Sequence, residues 1–174
     1  MNLTELMMRR RSCRKFTDEK LTADEIHELK RVALCAPTSK NCRSWEFVFV
    51  TDSATIKALS VSKEAGAAFL EEAPLAVVVL ADTTKTDVWV EDTSIAATFL
   101  QLKAEEMGLG SCWAQMRGRG FADGRSANDI IKALVGAPEQ FEVECVIGIG
   151  HKAQERNPYT DEKLPFEQTH DNHF

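Results

Sequence analysis

The sequence predicts an α/β or α+β sandwich in a single domain spanning residues 1–174, on three observations. Trp45 to Thr51, Leu75 to Ala81 and Phe141 to Gly150 are apolar, β-branched stretches of strand length. Segments of helical period alternate with them. No Pro/Gly/Ser-rich linker and no internal repeat divides the 174 residues, a length that suits one domain.

Taken in order, Thr22-Ala-Asp-Glu25 reads as a capping box, in which hydroxyl and carboxylate satisfy free N–H groups of a first helical turn. It opens a helix with Ile26, Leu29, Val32 and Ala33 on one stripe, and Pro37 is expected to end it. Trp45 to Thr51 (WEFVFVT) reads as a strand. Ser53 to about Glu72 reads as helical, interrupted near Gly66. Leu75 to Ala81 (LAVVVLA) is almost continuously apolar, as in a strand covered on both faces. Val90 to Met107 carries Ile95, Ala96, Phe99 and Leu100 at helical spacing, with Gly108 as the stop. Ser111 to Met116 reads as a short strand, and 117–126, with three glycines and three arginines, as a loop. Ser126 is expected to cap a helix through Ile130, Ile131, Leu134 and Val135 that Gly136 ends. Phe141 to Gly150 is a strand, and the last 24 residues lack periodicity.

Charge and composition exclude several classes. The net charge is -6, against a general nucleic-acid binder, yet residues 1–43 carry +4 and 44–174 carry -10. A local basic patch on an acidic chain suits a small anionic ligand. The longest apolar run, Ala73 to Ala81, is nine residues, against the roughly 20 that span a bilayer. The start MNLTELMMRRRS lacks the apolar core of a secretory leader. The five cysteines show no C-x-x-C pair and no zinc spacing, so reduced thiols in a cytoplasmic protein are expected. Neither Gly108-Leu-Gly110 nor Gly148-Ile-Gly150 has the third glycine of a dinucleotide-binding turn. His170 and His173 lie in a polar tail, and no metal site is expected.

Two segments stand out. In Arg10-Arg11-Ser12-Cys13-Arg14-Lys15-Phe16, three guanidinium groups flank a hydroxyl, a set suited to phosphate, although a solvated basic turn has the same composition. In Pro37-Thr38-Ser39-Lys40-Asn41-Cys42-Arg43-Ser44-Trp45, hydroxyl, amide and guanidinium groups could meet the polar edge of a heteroaromatic ring. A plain helix-to-strand loop would also use these residues.

Together and in this order, the two segments resemble the R-R-S-x-R-x-F and P-S-S-x-N-x-Q-P-W-x-F stretches of the nitroreductase family. Glu72-Ala-Pro74 leading into Leu75 to Asp82, Glu91-Asp92, Met107-Gly-Leu-Gly-Ser-Cys-Trp113, Val146 to Gly150 and Lys163-Leu-Pro165 match further family features. The resemblance implies an α+β sandwich with a mostly antiparallel sheet flanked by helices. It also implies a homodimer in which a C-terminal arm, about 151–174, embraces the partner and FMN sits at the interface. It implies hydride transfer from NADH or NADPH to a small aromatic acceptor, a nitro compound or quinone, by a ping-pong mechanism. By the same resemblance, Arg10, Arg11, Ser12 and Arg14 bind the FMN phosphate and pyrimidine edge, and Pro37, Thr38, Ser39 and Asn41 reach the flavin from the other subunit. Gln115 and Met116 place backbone near its reactive face, and Lys163 lies near the phosphate. Thr38 keeps the hydroxyl of the family serine, whereas Arg43-Ser44 replaces Gln-Pro, which adds a charge and loosens the turn, and Arg43 is counted among the flavin-binding candidates. No side chain is assigned as nucleophile or general base. Reductive dehalogenation, flavin fragmentation and non-enzymatic flavin binding are the competing expectations; the stretch 83–90 is short for the lid that the first would use.

Overall fold

Local signals set most of the elements in the computed structural model, which describes residues 1–174. Helix α1 (Leu3–Arg9) starts with a capping box formed by Asn2 and Glu5, and α2 (Ala23–Ala33) with the one formed by Thr22 and Glu25. Strand β1 (Trp45–Val50) and helix α3 (Ser53–Ser60) follow, then β2 (Leu75–Asp82), α4 (Trp89–Glu106) and β3 (Leu109–Gln115). Helix α5 (Ala127–Val135) and β4 (Phe141–His151) complete the layers. The sheet order is β1-β2-β4-β3 and every neighbouring pair is antiparallel. The architecture is therefore α+β, with helices on both faces of the sheet.

Side chains of β2 alternate between two cores. Ala76, Val78 and Leu80 pack with Ile56 and Leu59 of α3 and Ile131 of α5. Leu75, Val77 and Val79 pack with Leu29 of α2 and with Ala97, Leu100 and Ala104 of α4. All eight residues of β2 are buried, which is why its sequence lacks the alternation of a half-exposed strand. On β4 the alternation changes phase. Val143 pairs with Leu80 and Cys145 with Val79, so Glu144 is an extra residue, a β-bulge. Phe141 and Val143 therefore share the α3/α5 core, while Cys145, Ile147 and Ile149 share the other.

Three expectations need correction. The stretch expected to be helical over 53–72 with a break near Gly66 breaks earlier and does not resume as α-helix: α3 stops at Ser60, and only a 3-10 turn at Ala68–Glu72 follows. Gly66, at φ +80°, supplies a left-handed bend that no helix continues through. Ser126 holds the N-cap position of α5 but its side chain caps nothing; Gly136, at φ +69°, does end the helix. Helix α2 ends at Ala33, before Pro37 can act.

The glycine pairs that fail as nucleotide turns have a packing role. A Cβ on Gly110 would lie 2.7 Å from Cys13 Sγ, and one on Gly150 would lie 2.5 Å from Pro74 Cδ. Residues 12–16 thus lie directly on the sheet: Cys13 N donates to Ser111 O at 2.9 Å and Thr17 N to His151 O at 3.0 Å. Gly110→Ala should accordingly lower stability by about 1–3 kcal/mol, the usual cost of overpacking, read as a reduced midpoint in chemical denaturation.

Candidate active site

The arginine segment leaves α1 and runs along the outer edge of β3, where Ser12 bridges to Ser111. The chain's own tail folds back on it. Arg11 Nη1 donates to Asn157 O at 2.7 Å, the Arg11 guanidinium lies 4.3 Å from the centre of the Tyr159 ring, and Tyr159 N donates to Met8 O at 2.8 Å. The result is a cavity of about 180 Å³ lined by Arg10, Arg11, Ser12, Arg14, Arg156 and Tyr159. Four arginines and two hydroxyl-bearing side chains, Ser12 and Tyr159, line it and no carboxylate does, a donor set that suits a phosphate dianion. Cys112 lies close by: burial pushes its thiol up, while Arg14 and the Ser12 hydroxyl pull the other way.

The second segment forms the loop between α2 and β1. Lys40, Asn41 and Arg43 take positive φ values of 50°, 54° and 46°, a conformation that side chains other than glycine adopt at a cost. Polar contacts close the loop on itself. Thr38 Oγ1 accepts from Arg43 N at 3.1 Å, and Asn41 Oδ1 accepts from Arg43 Nε at 3.1 Å. Ser39 N donates to Asp92 Oδ1 of α4 at 2.9 Å. Beyond the loop, Trp45 is buried as a core anchor, and both Trp45 Nε1 and Ser44 Oγ are buried without a hydrogen-bond partner.

These two groups do not meet within one chain. The loop enters β1 at one edge of the sheet and the arginines follow β3 at the other. Three inter-strand steps of about 4.8 Å separate those edges by roughly 14 Å. Gln115 ends β3 and Met116 follows it. The Met116 side chain is fully buried in the α3/α5 core, so only its backbone could face a ligand, and its N–H already donates to Glu144 O at 3.1 Å. Pro37 begins the loop turn and is exposed, as is Lys163 in a 3-10 turn of the tail outside the arginine cavity.

Gln115 belongs to a network that the sequence did not announce. Trp113 Nε1 donates to Gln115 Oε1 at 2.8 Å, and Gln115 Nε2 donates to Arg117 O at 3.2 Å and approaches Glu144 Oε1 at 3.5 Å. Lys63 Nζ donates to Gln115 O at 2.8 Å, and burial, then the Arg119 charge, lower its pKa. Glu144, the bulge residue, is 3% exposed. Arg117 Nε stands 3.1 Å from its Oε2 but is poorly aligned for a hydrogen bond, so that attraction is chiefly coulombic. Burial raises the Glu144 pKa, against the lowering effects of Gln115 and Arg117. The folded state therefore holds this proton at a pH where the unfolded chain has released it, and stability falls as pH rises above the ordinary carboxylate range. Glu144→Gln should remove that decline: its melting temperature should gain on the natural protein's between pH 5 and pH 8, and a constant difference would refute the assignment.

Asp92, Glu144, Arg156 and Tyr159 are the residues that motif reading missed as parts of these clusters. Asp92 left a trace as part of the family-like Glu91-Asp92 pair, and Glu144 as an acid inside the apolar run FEVECVIGIG.

Comparison with known proteins agrees with the fold. The model of the nitroreductase family matches residues 7–72 and 57–151. An FMN-dependent nitroreductase from Clostridium difficile R20291 superposes with a TM-score of 0.97 at 40% identity, covering 99% of this chain and 100% of that one. A protein of Archaeoglobus fulgidus, described provisionally as an NADH dehydrogenase/NAD(P)H nitroreductase, is 29% identical over 89% of this chain and 88% of its own. The FMN reductase (NADPH) of Bacillus subtilis is 30% identical over 87% of this chain and 66% of its own. With a family match over most of its length and the same fold as a solved member, the chain belongs to the nitroreductase family.

Proposed function

We propose that the chain works as a homodimeric, FMN-dependent oxidoreductase that takes reducing equivalents from NADH or NADPH and delivers them to a small aromatic acceptor, a nitro compound or a quinone, in a ping-pong cycle. The cavity of four arginines with no acid in its wall is the observation that carries this reading. FMN, when bound, supplies the two-electron chemistry that links donor to acceptor. Arg10, Arg11, Arg14 and Arg156 would hold its phosphate, with Ser12 adding a neutral donor. Thr38, Ser39 and Asn41, on the far edge of the sheet, would meet the ring from a second copy.

Exposed apolar surface supports that second copy. A cavity of about 360 Å³ on the outer face of α1, α2 and α4 is lined by Leu3, Leu6, Met7, Val32, Phe99 and Leu102, and Leu34 is 60% exposed. Such a patch marks an interface more often than bare surface. The exposed tail beyond Tyr159, with Phe166 61% exposed, is the segment available to embrace a partner. No helix is long and apolar enough to cross a membrane.

Purified protein should be yellow, sediment as a dimer, and give parallel double-reciprocal lines when NAD(P)H is varied at several acceptor concentrations. Protein that stays colourless after incubation with FMN would remove the basis of this reading.

A further inference from the structure

Asp92 is 3% exposed beside the small apolar cluster of Ala36, Trp45 and Ala96, and no cation lies within ion-pair reach of its carboxylate. Its only donors besides solvent come from the α2–β1 loop. Ser39 N–H reaches Oδ1 at 2.9 Å and the Cys42 thiol reaches Oδ2 at 3.6 Å. The two oxygens thus grip both ends of the turn Ser39–Asn41. Between the grips lie Lys40 and Asn41, and just beyond lies Arg43, the three non-glycine residues of the loop in left-handed backbone. Asparagine tolerates that region; lysine and arginine do not favour it, so the loop needs an external restraint to keep this shape. Helix α4 provides it, because Ala97, Leu100 and Ala104 fix the helix against the sheet. Desolvating a carboxylate without a cation is itself costly, and the two loop donors are what offset that cost.

We infer that Asp92 is a positioning residue that latches the flavin-facing loop, through Ser39 and Cys42, in a strained shape prepared for the cofactor. The inference rests on the proposed flavin role of that loop. Preorganisation of this kind raises affinity because the loop's ordering is completed before the ligand arrives.

The test compares Asp92→Ala, Asp92→Asn and Cys42→Ala with the natural protein. FMN titration of stripped protein should show about a tenfold or greater rise in dissociation constant for Asp92→Ala, the scale of a lost hydrogen bond to a charged group. Asp92→Asn keeps an acceptor for Ser39 and should recover part of that loss, while Cys42→Ala should cost about threefold or less. The bound-flavin absorption band should also change shape in Asp92→Ala, which a purely stabilising role would leave intact. A second measurement needs no flavin: trypsin should cut after Lys40 and Arg43 several times faster in stripped Asp92→Ala and Asp92→Asn, with cleavage after Lys132 unchanged. Should Asp92→Ala not fold, Asp92→Asn and Cys42→Ala still give the order of effects. Equal FMN affinity and equal cleavage across the series would overturn the latch. Natural protein that binds no FMN, yet shows the cleavage order, would instead overturn the proposed flavin role and leave the latch standing as a restraint on the loop.

Discussion

Arg10→Ala and Arg14→Ala should each weaken FMN binding by about 1.5–3 kcal/mol, roughly 10- to 150-fold in dissociation constant, measured by fluorescence titration of the stripped protein. Both side chains line a cavity whose wall contains no acid, so neither has a local counter-charge and the ligand supplies it. Arg11 differs. It already donates to Asn157 O and stacks on Tyr159, so Arg11→Ala should first release the tail segment from α1 and only then affect the cofactor. The comparison of Arg156→Ala with Lys163→Ala decides which tail cation matters. Arg156 lines the cavity and Lys163 does not, so a large loss is expected for the first and little for the second. The effects should shrink as salt is raised, since the partners are charged and partly open to solvent.

How much of this was legible in the sequence depended on whether the controlling interaction was local. The Thr22–Glu25 capping box, the Gly108 and Gly136 stops and the fully buried β2 are set by residues near in sequence, and each stands where expected. The helical stretch expected over 53–72 has its break near Gly66 as read, but α3 already ends at Ser60 and the second part is only a 3-10 turn, whose Leu70 docks into the α3/α5 core. The site divides in the same way. Three arginines around a hydroxyl were visible as a charge pattern, whereas Arg156 and Tyr159 join them only because the tail folds back over Met8 and Arg11. Asp92 sits in the first turn of α4, where an acid is explained by the helix dipole alone, so its bond to Ser39, 53 residues away, left no trace. The bulge at Glu144 shows in no periodicity, because it is a mismatch between two strands rather than a property of one.

The largest loss of stability is expected at Glu105. Its carboxylate is 3% exposed near the end of α4, where Oε1 accepts from Lys152 Nζ at 2.9 Å and lies 3.2 Å from Arg9 Nε. Lys152, just after β4, has a side chain only 9% exposed, whereas that of Arg9 is half exposed and can return to water. Glu105→Ala therefore leaves one buried ammonium without its main partner, since Glu155 stands at 3.9 Å and is itself largely exposed. Breaking a buried pair in this way costs about 3–5 kcal/mol, on the order of 10 °C in melting temperature for a chain of this size. Replacing both charges, as in Glu105→Leu with Lys152→Met, should recover most of the loss, because the double variant buries no unpaired charge. The same measurement bears on function, since Glu105, Lys152 and Arg9 line a small cleft shared with Arg11 and Arg156 at the entry to the arginine segment. Glu105→Ala should thus loosen FMN as well as the fold, and the double variant should restore the fold further than the affinity, because Arg9 then has no acid to hold the end of α1 in place.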